Sequence, residues 1–362
     1  HGWASPLTLG LFAFGLVSLG AFIFRSLHAA NPILDLSLFQ SRLFVTCNLA
    51  LFLLGASFLG ILVFLPLFLV NVIGVSATGA GLSLIPLSLG LVFGSTVAGQ
   101  IVSRFGHYRR LMLGGGLLLF IGVLLLSRMD ADTTYGQVVL YTVLCGLGLG
   151  PSFPLYTLAI QNEVEPQRIG QATSASQFFR QIGGVVGVAL LGAVLALHLS
   201  QGLARGPVAP GTKMAVPSEG GEALGGISEA AIAASVQKQF AAQHQQVAAE
   251  VRRGGAAALA PALERAELPE EARRQIETGT LGDAPDDASA PELLNRLQRQ
   301  FDRAEKATVQ RAQRHIREVF AGGITQLYFY TLFILAAAWA VTFFVPEKPL
   351  RRSNEGAPPV EL

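Results

Sequence analysis

GQIVSRFGHYRR, residues 99 to 110, sets three arginines and a histidine between two stretches suited to the middle of a lipid bilayer. Residues 78 to 102 before it and 111 to 126 after it contain no Asp, Glu, Lys or Arg. A short polar interruption of this kind is what a connection between two membrane spans requires. Gly106 permits a tight reversal. Arg104, Arg109 and Arg110 hold the connection at the interface, where a guanidinium can bond carboxylates or the carbonyl ends of helices. Gly99, near the end of the preceding span, is expected to let another helix backbone approach closely.

The same alternation runs along most of the chain. Of the 362 residues 51% are apolar and only 14% charged, with 40 glycines and 23 phenylalanines; a soluble domain carries about 25% charged residues. Between residues 201 and 318, 15 Lys/Arg and 16 Asp/Glu are concentrated, which leaves the rest nearly uncharged. Windows of about 20 apolar residues are long enough to cross a hydrocarbon core of about 30 Å. Such windows lie at 6–24, 44–70, 78–102, 111–126, 137–160, 178–199 and 324–345, and Arg180 is the single formal charge inside any of them. Seven spans are therefore expected in an all-α membrane protein, with six in residues 1–200, a polar and largely helical insert at 201–320, and the last span with a tail at 321–362.

Short cytoplasmic connections hold the excess of Lys and Arg. Arg25 and Arg42 flank the first connection, Arg104, Arg109 and Arg110 crowd the third, Arg168 marks the fifth, and Lys348, Arg351 and Arg352 follow the last span. Placing these inside puts the amino terminus and residues 201–320 outside. His1 is not an initiator Met and no signal peptide precedes the first span, so an odd number of spans with an exterior start reads as the carboxy-terminal piece of a longer protein.

Chemistry-bearing patterns are few. Cys47 and Cys145 lie in apolar windows and read as packing residues, the six histidines are scattered, and no Cys/His cluster, Ser/His/Asp order or Walker-type loop occurs. Neither an enzyme, a cofactor, a metal site nor a nucleic-acid partner is expected. GLGLGPSFP, residues 146 to 154, does stand out: Gly146 and Gly150 make a flat helix face, while Pro151 and Pro154 remove backbone donors and permit a kink. Polar groups inside spans are costly unless paired or hydrated. Gln161 and Asn162 close the fifth span, and Gln177, Phe178 and Arg180 open the sixth, which makes them the candidate cavity and substrate contacts. Phe64 and Phe68 are further candidates for a lining that takes greasy cations, and Gly183, Gly184, Gly187 and Gly192 form a small-residue stripe for packing.

GQIVSRFGHYRR resembles the cytoplasmic glycine-and-arginine loop motif of the major facilitator superfamily, with Gly99, Arg104, Gly106, Arg109 and Arg110 in register and Ser103 where the stronger family copy has aspartate. GLGLGP resembles the GxxxGP portion of that superfamily's antiporter motif. The stretch TLAIQNEVEPQRIGQATSASQFFRQIGGVVGVALLGAVLA, residues 157 to 196, is similar to the penultimate span of its fourteen-span drug/proton antiporter branch, as are residues 31–44 and 65–90 to other parts of that branch. The resemblance implies a major facilitator fold in a bacterial inner membrane and proton-coupled efflux of lipophilic, often cationic small molecules. It implies also that the principal proton-coupling carboxylates belong to a preceding half; no carboxylate lies mid-span here.

The insert departs from that family, whose final external loop is shorter. It opens on the Gly/Pro-rich QGLARGPVAPG and includes the breaker GTLGDAPDDASAPE. Val236, Phe240, Val247 and Val251 share one helical face, as do Leu294, Leu297 and Phe301, and the related VQKQF and LQRQF suggest paired helices that could meet an extracytoplasmic partner. Two functions follow. Secondary efflux leads, and a membrane-anchored scaffold that moves nothing is the alternative.

Overall fold

The computed structural model describes residues 5–28, 36–204, 229–266, 268–281 and 290–347. The opening of the insert from residue 205, the breaker at 282–289, residues 31–35 of the first connection and the tail cations Lys348, Arg351 and Arg352 lie outside them. Among the described residues every regular element is helical, and seven helical segments are long and apolar enough to cross a membrane.

The first helix, α1, is Pro6–His28. Ser41 caps the second, accepting from the Phe44 N–H at 3.4 Å, and α2 runs Arg42–Phe68, then widens into a π-turn, Leu69–Ile73, that Gly74 ends at φ 79°. The window at 78–102 falls in one candidate span, Ala77–Phe105, inside which the helix is interrupted between α3, Ala77–Leu82, and α4, Ile85–Phe105. Pro86 is the cause. Its ring would collide with the Leu82 carbonyl and it has no N–H to donate, so the helix stops at Leu82 and restarts with proline in its first turn, where no donor is needed. Gly106 ends α4 at φ 72°, its N–H bonded to the Val102 carbonyl at 2.8 Å, a left-handed conformation that glycine adopts without penalty.

The helix α5 follows at once, Tyr108–Leu126. Gln137 reaches back to the Thr134 N–H at 2.9 Å to start α6, Tyr135–Glu163. A 3₁₀ turn at Pro166–Arg168 leads into α7, Ile169–Ala204. Beyond it lie α8, Glu229–Gly254, α9, Leu259–Arg265, α10, Glu270–Leu281, and the 54-residue α11, Ala290–Phe343. The described residues divide into two units, 1–196 with 321–362, and 197–320.

In the first unit, α6 is the axis. A Cβ on Gly146 would come within 2.3 Å of the Leu87 carbonyl oxygen, and one on Gly150 within 2.5 Å of the Leu91 oxygen, so α4 lies backbone to backbone on that face. Gly148 points the other way, where a Cβ would meet the Leu119 nitrogen of α5 at 2.3 Å. Lipid gives no hydrophobic drive for helices to associate, and close van der Waals contact between small residues replaces it. The stripe on α7 works in the same manner against α2: a Cβ on Gly183 would strike the Phe52 oxygen at 2.0 Å, and one on Gly55 the Arg180 oxygen at 2.1 Å. Phe64 and Phe68, expected among pocket-lining aromatics, are instead buried in this packing. Apolar side chains on the rim, such as Phe93 at 65% and Leu190 at 63% exposure, point outward as a lipid-facing surface requires.

The second unit has an apolar core of its own. Phe240, Val247 and Val251 of α8 meet Leu297 and Phe301 of α11, with Val236 and Leu294 packed at its margin and Leu263 and Ile276 from α9 and α10 closing it. The Phe240 and Phe301 rings stand edge to face at 6.4 Å, so VQKQF and LQRQF face each other as their spacing predicts. The charged positions between them are solvated, where pairs such as Arg265–Glu250 at 3.1 Å add little.

Candidate functional site

A cavity of about 610 Å³ lies in the first unit among α2, α4, α6 and α7. It sits near one end of the helices, because its lining comes from the last turns of α4 (Gly99, Val102, Ser103), the later turns of α6 (Phe153, Pro154, Thr157, Leu158, Gln161) and the early turns of α7 (Ser176, Gln177, Arg180). Two features of the sequence make the space. Gly99 has nothing within 4 Å of where a Cβ would stand, so the close helix approach expected there does not occur and the glycine faces open volume instead. Pro154 presents a ring without an N–H to the same volume.

Arg180 brings a formal charge to this wall. Its guanidinium lies over the Phe153 ring, 4.9 Å from the centroid, and donates to the Gln177 side-chain oxygen one turn earlier. The aromatic face and the hydrogen bond together restrain where the guanidinium sits. Gln161 donates to the Thr173 hydroxyl at 3.0 Å, tying the end of α6 to the start of α7.

Of the other expected contacts, Asn162 and Phe178 are not in the lining. Asn162 lies one residue beyond Gln161, half-buried, and Phe178 is 48% exposed with its edge against Phe179. Ser95, Phe153, Thr157 and Ser176 were missed by sequence reasoning; the signal for Phe153 was its place four residues before Thr157 and eight before Gln161, on one helical face.

The loop that opened the sequence splits into separate roles. Gly106 makes the reversal, and Ser103 lines the cavity with its hydroxyl bonded to the Gln100 carbonyl at 2.8 Å. Arg109 donates to the carbonyl of Phe343 in the last turn of α11, and Tyr108 reaches the Pro346 carbonyl at 3.1 Å. A cation at that position neutralises the negative end of the helix dipole. Arg104 and Arg110 are exposed and, among the described residues, carry no ion-pair partner. At the same end Ser41 donates to Glu163 at 3.0 Å, joining the start of α2 to the end of α6, and Arg168 donates to Ser37 at 3.2 Å, joining the turn before α7 to the residues that precede α2.

Comparison with known proteins agrees with this architecture. Over 195 residues the chain is 36% identical to the multidrug transporter protein MdtP of Bacillus subtilis, covering 54% of this chain and 36% of that protein. Over 194 residues it is 37% identical to multidrug resistance protein 3 of the same organism, covering 54% and 38%. The tetracenomycin C resistance and export protein of Streptomyces glaucescens is 33% identical over 195 residues, covering 54% and 36%. The chain thus spans little more than a third of the length of these relatives. They are transporters and not enzymes, which does not favour the scaffold alternative. Residues 2–188, more than half of the chain, match the family model described as Major Facilitator Superfamily, and with seven helical segments long and apolar enough to cross a membrane the chain belongs to that superfamily as a multi-pass membrane protein.

Proposed function

We propose that the chain is the carboxy-terminal part of a proton-coupled multidrug efflux antiporter of the fourteen-span branch, working in a bacterial cytoplasmic membrane. The observation that carries this reading is the cavity: a mostly apolar space with a few polar groups, bounded by four spans, in a member of a transporter family whose relatives bear multidrug and export names. In this reading Gln161, Gln177 and Arg180 contact the substrate, while Phe178 and Asn162 support the wall from outside it. Gly146, Gly150, Pro151 and Pro154 shape α6 beside it, and the loop Gly99, Arg104, Gly106, Arg109 and Arg110 steadies the cytoplasmic ends as helices rock. The insert at 201–320 is extracytoplasmic and offers its solvated face to an external partner.

The test uses everted membrane vesicles that contain the full-length transporter and a lipophilic fluorescent dye. Imposing a proton gradient is expected to drive dye movement that a protonophore abolishes. Dye movement indifferent to the gradient would remove the coupling, and none at all, with the protein inserted, would remove the efflux reading.

A further inference from the structure

We propose that the cavity carries a carboxylate subsite, formed by Arg180 stacked on Phe153 and oriented by Gln177, which selects lipophilic aromatic acids among the substrates. The inference rests on reading the cavity as a substrate site and states which substrates that site takes.

The polar inventory of the wall leads to it. The hydroxyls of Ser95, Ser103, Thr157 and Ser176 each donate to a carbonyl of their own helix, at 2.9, 2.8, 3.0 and 2.8 Å. Their donors are spent, and they show the cavity only lone pairs. Gln161 has committed one amide proton to Thr173. Donors are therefore concentrated at Arg180, with five N–H groups of which one goes to Gln177, and at the Gln177 amide nitrogen, whose oxygen is already occupied.

Charge points the same way. No Asp or Glu lines the cavity, and among the described residues Arg180 has no ion-pair partner. A guanidinium beside apolar walls lacks the counter-charge its position calls for. Its planar fork matches a carboxylate with two parallel hydrogen bonds, and its Cζ lies over the Phe153 ring, 4.9 Å from the centroid. Leu51, Val102 and Leu158 supply an apolar bed for an aromatic body. A cationic substrate would meet an unneutralised positive charge in the same place, so the wall seen here departs from the cationic preference that the sequence resemblance implies. A lipid phosphate shares the anion's chemistry but not the flat aromatic body.

The test is calorimetric titration of the full chain in nanodiscs of zwitterionic lipid with three probes of one shape: naphthoate, naphthamide and naphthylmethylammonium. Naphthoate is expected to bind about tenfold or more tightly than naphthamide, the worth of a charge-assisted bidentate contact, and the ammonium weakest. Arg180→Gln should bring naphthoate and naphthamide to within about twofold of each other while melting like the wild type. Arg180→Lys should keep part of the preference. Equal binding of naphthoate and naphthamide to the wild type, or a preference that survives Arg180→Gln, overturns the subsite. Adding phosphatidylglycerol separates sources: competition that removes naphthoate binding assigns the subsite to lipid phosphate and overturns the substrate reading. Dye efflux by the full-length transporter is scored separately, so efflux without carboxylate preference sinks the subsite alone, whereas loss of efflux sinks the reading beneath it.

Discussion

Arg109 and Arg180 carry the same guanidinium, and their surroundings give it two different uses. Arg109 ends on the Phe343 carbonyl at a helix terminus, where fixed partial charge already waits for it. Arg180 ends on a neutral amide and an aromatic face beside an open volume. Arg109→Ala is therefore expected to lower the stability of the last span by about 1 kcal/mol, seen as an earlier thermal transition in detergent, without changing probe binding at the cavity. His244 offers a test in the second unit. Its half-buried ring meets Phe301 at 5.0 Å, and burial first of all holds its basicity below the ordinary histidine value of 6.5, helped by Arg252 and opposed by Asp302. The folded unit then binds a proton less readily than the unfolded chain. Its stability should be full above about pH 6.5 and fall as pH drops from there through the folded value. Hydrogen-exchange protection in α8, corrected for the intrinsic pH dependence of amide exchange, should fall on acidification, and His244→Gln should flatten that dependence. At this scale the sequence disclosed the charged and glycine positions, because each is exceptional in an apolar span. It did not disclose Phe153, one of 23 phenylalanines whose importance comes from what α7 places opposite it.

The helix α6 shows how far an element can be read before its neighbours are known. GLGLGP announces a flat face, and Gly146 and Gly150 do press on α4. Gly148 belongs to a different contact, with α5, and nothing in the spacing assigns partners to faces. The prolines Pro151 and Pro154 sit within one continuous helix, where Pro151 packs beside Gly94 and Gly115 and Pro154 borders the cavity. Gly150→Leu would drive side-chain carbons into the backbone of Leu91 and Ser95. The expected cost is about 1–3 kcal/mol or more, visible as reduced folded yield and a lower transition temperature, whereas Gly99→Ala, with open space at its Cβ, should leave both unchanged. The division of the third window at Ser83–Leu84 was legible in Pro86, but hydropathy alone averages across a two-residue turn. The polar helices of the second unit were legible for the converse reason: in water, one apolar face in four residues has to find another.

Across the whole molecule, residue pattern and packing describe a bundle of spans and a separate helical unit, and orientation is the property that links them to function. The cation-rich connections predict that a cysteine at His107 faces the cytoplasm and one at Gln245 the exterior. An impermeant thiol reagent applied to intact cells should label the second and spare the first; the opposite pattern would invert the topology and with it the direction of transport. The central claim, that the cavity among α2, α4, α6 and α7 is the path of a transported molecule, is tested most directly by filling it. Thr157→Trp places an indole in the volume from a half-buried wall position. Efflux per inserted molecule of the full-length transporter should fall by at least about tenfold, since a blocked site forfeits substrate contact altogether, while surface expression and melting stay close to wild type. Normal efflux from a correctly inserted Thr157→Trp transporter would contradict the account.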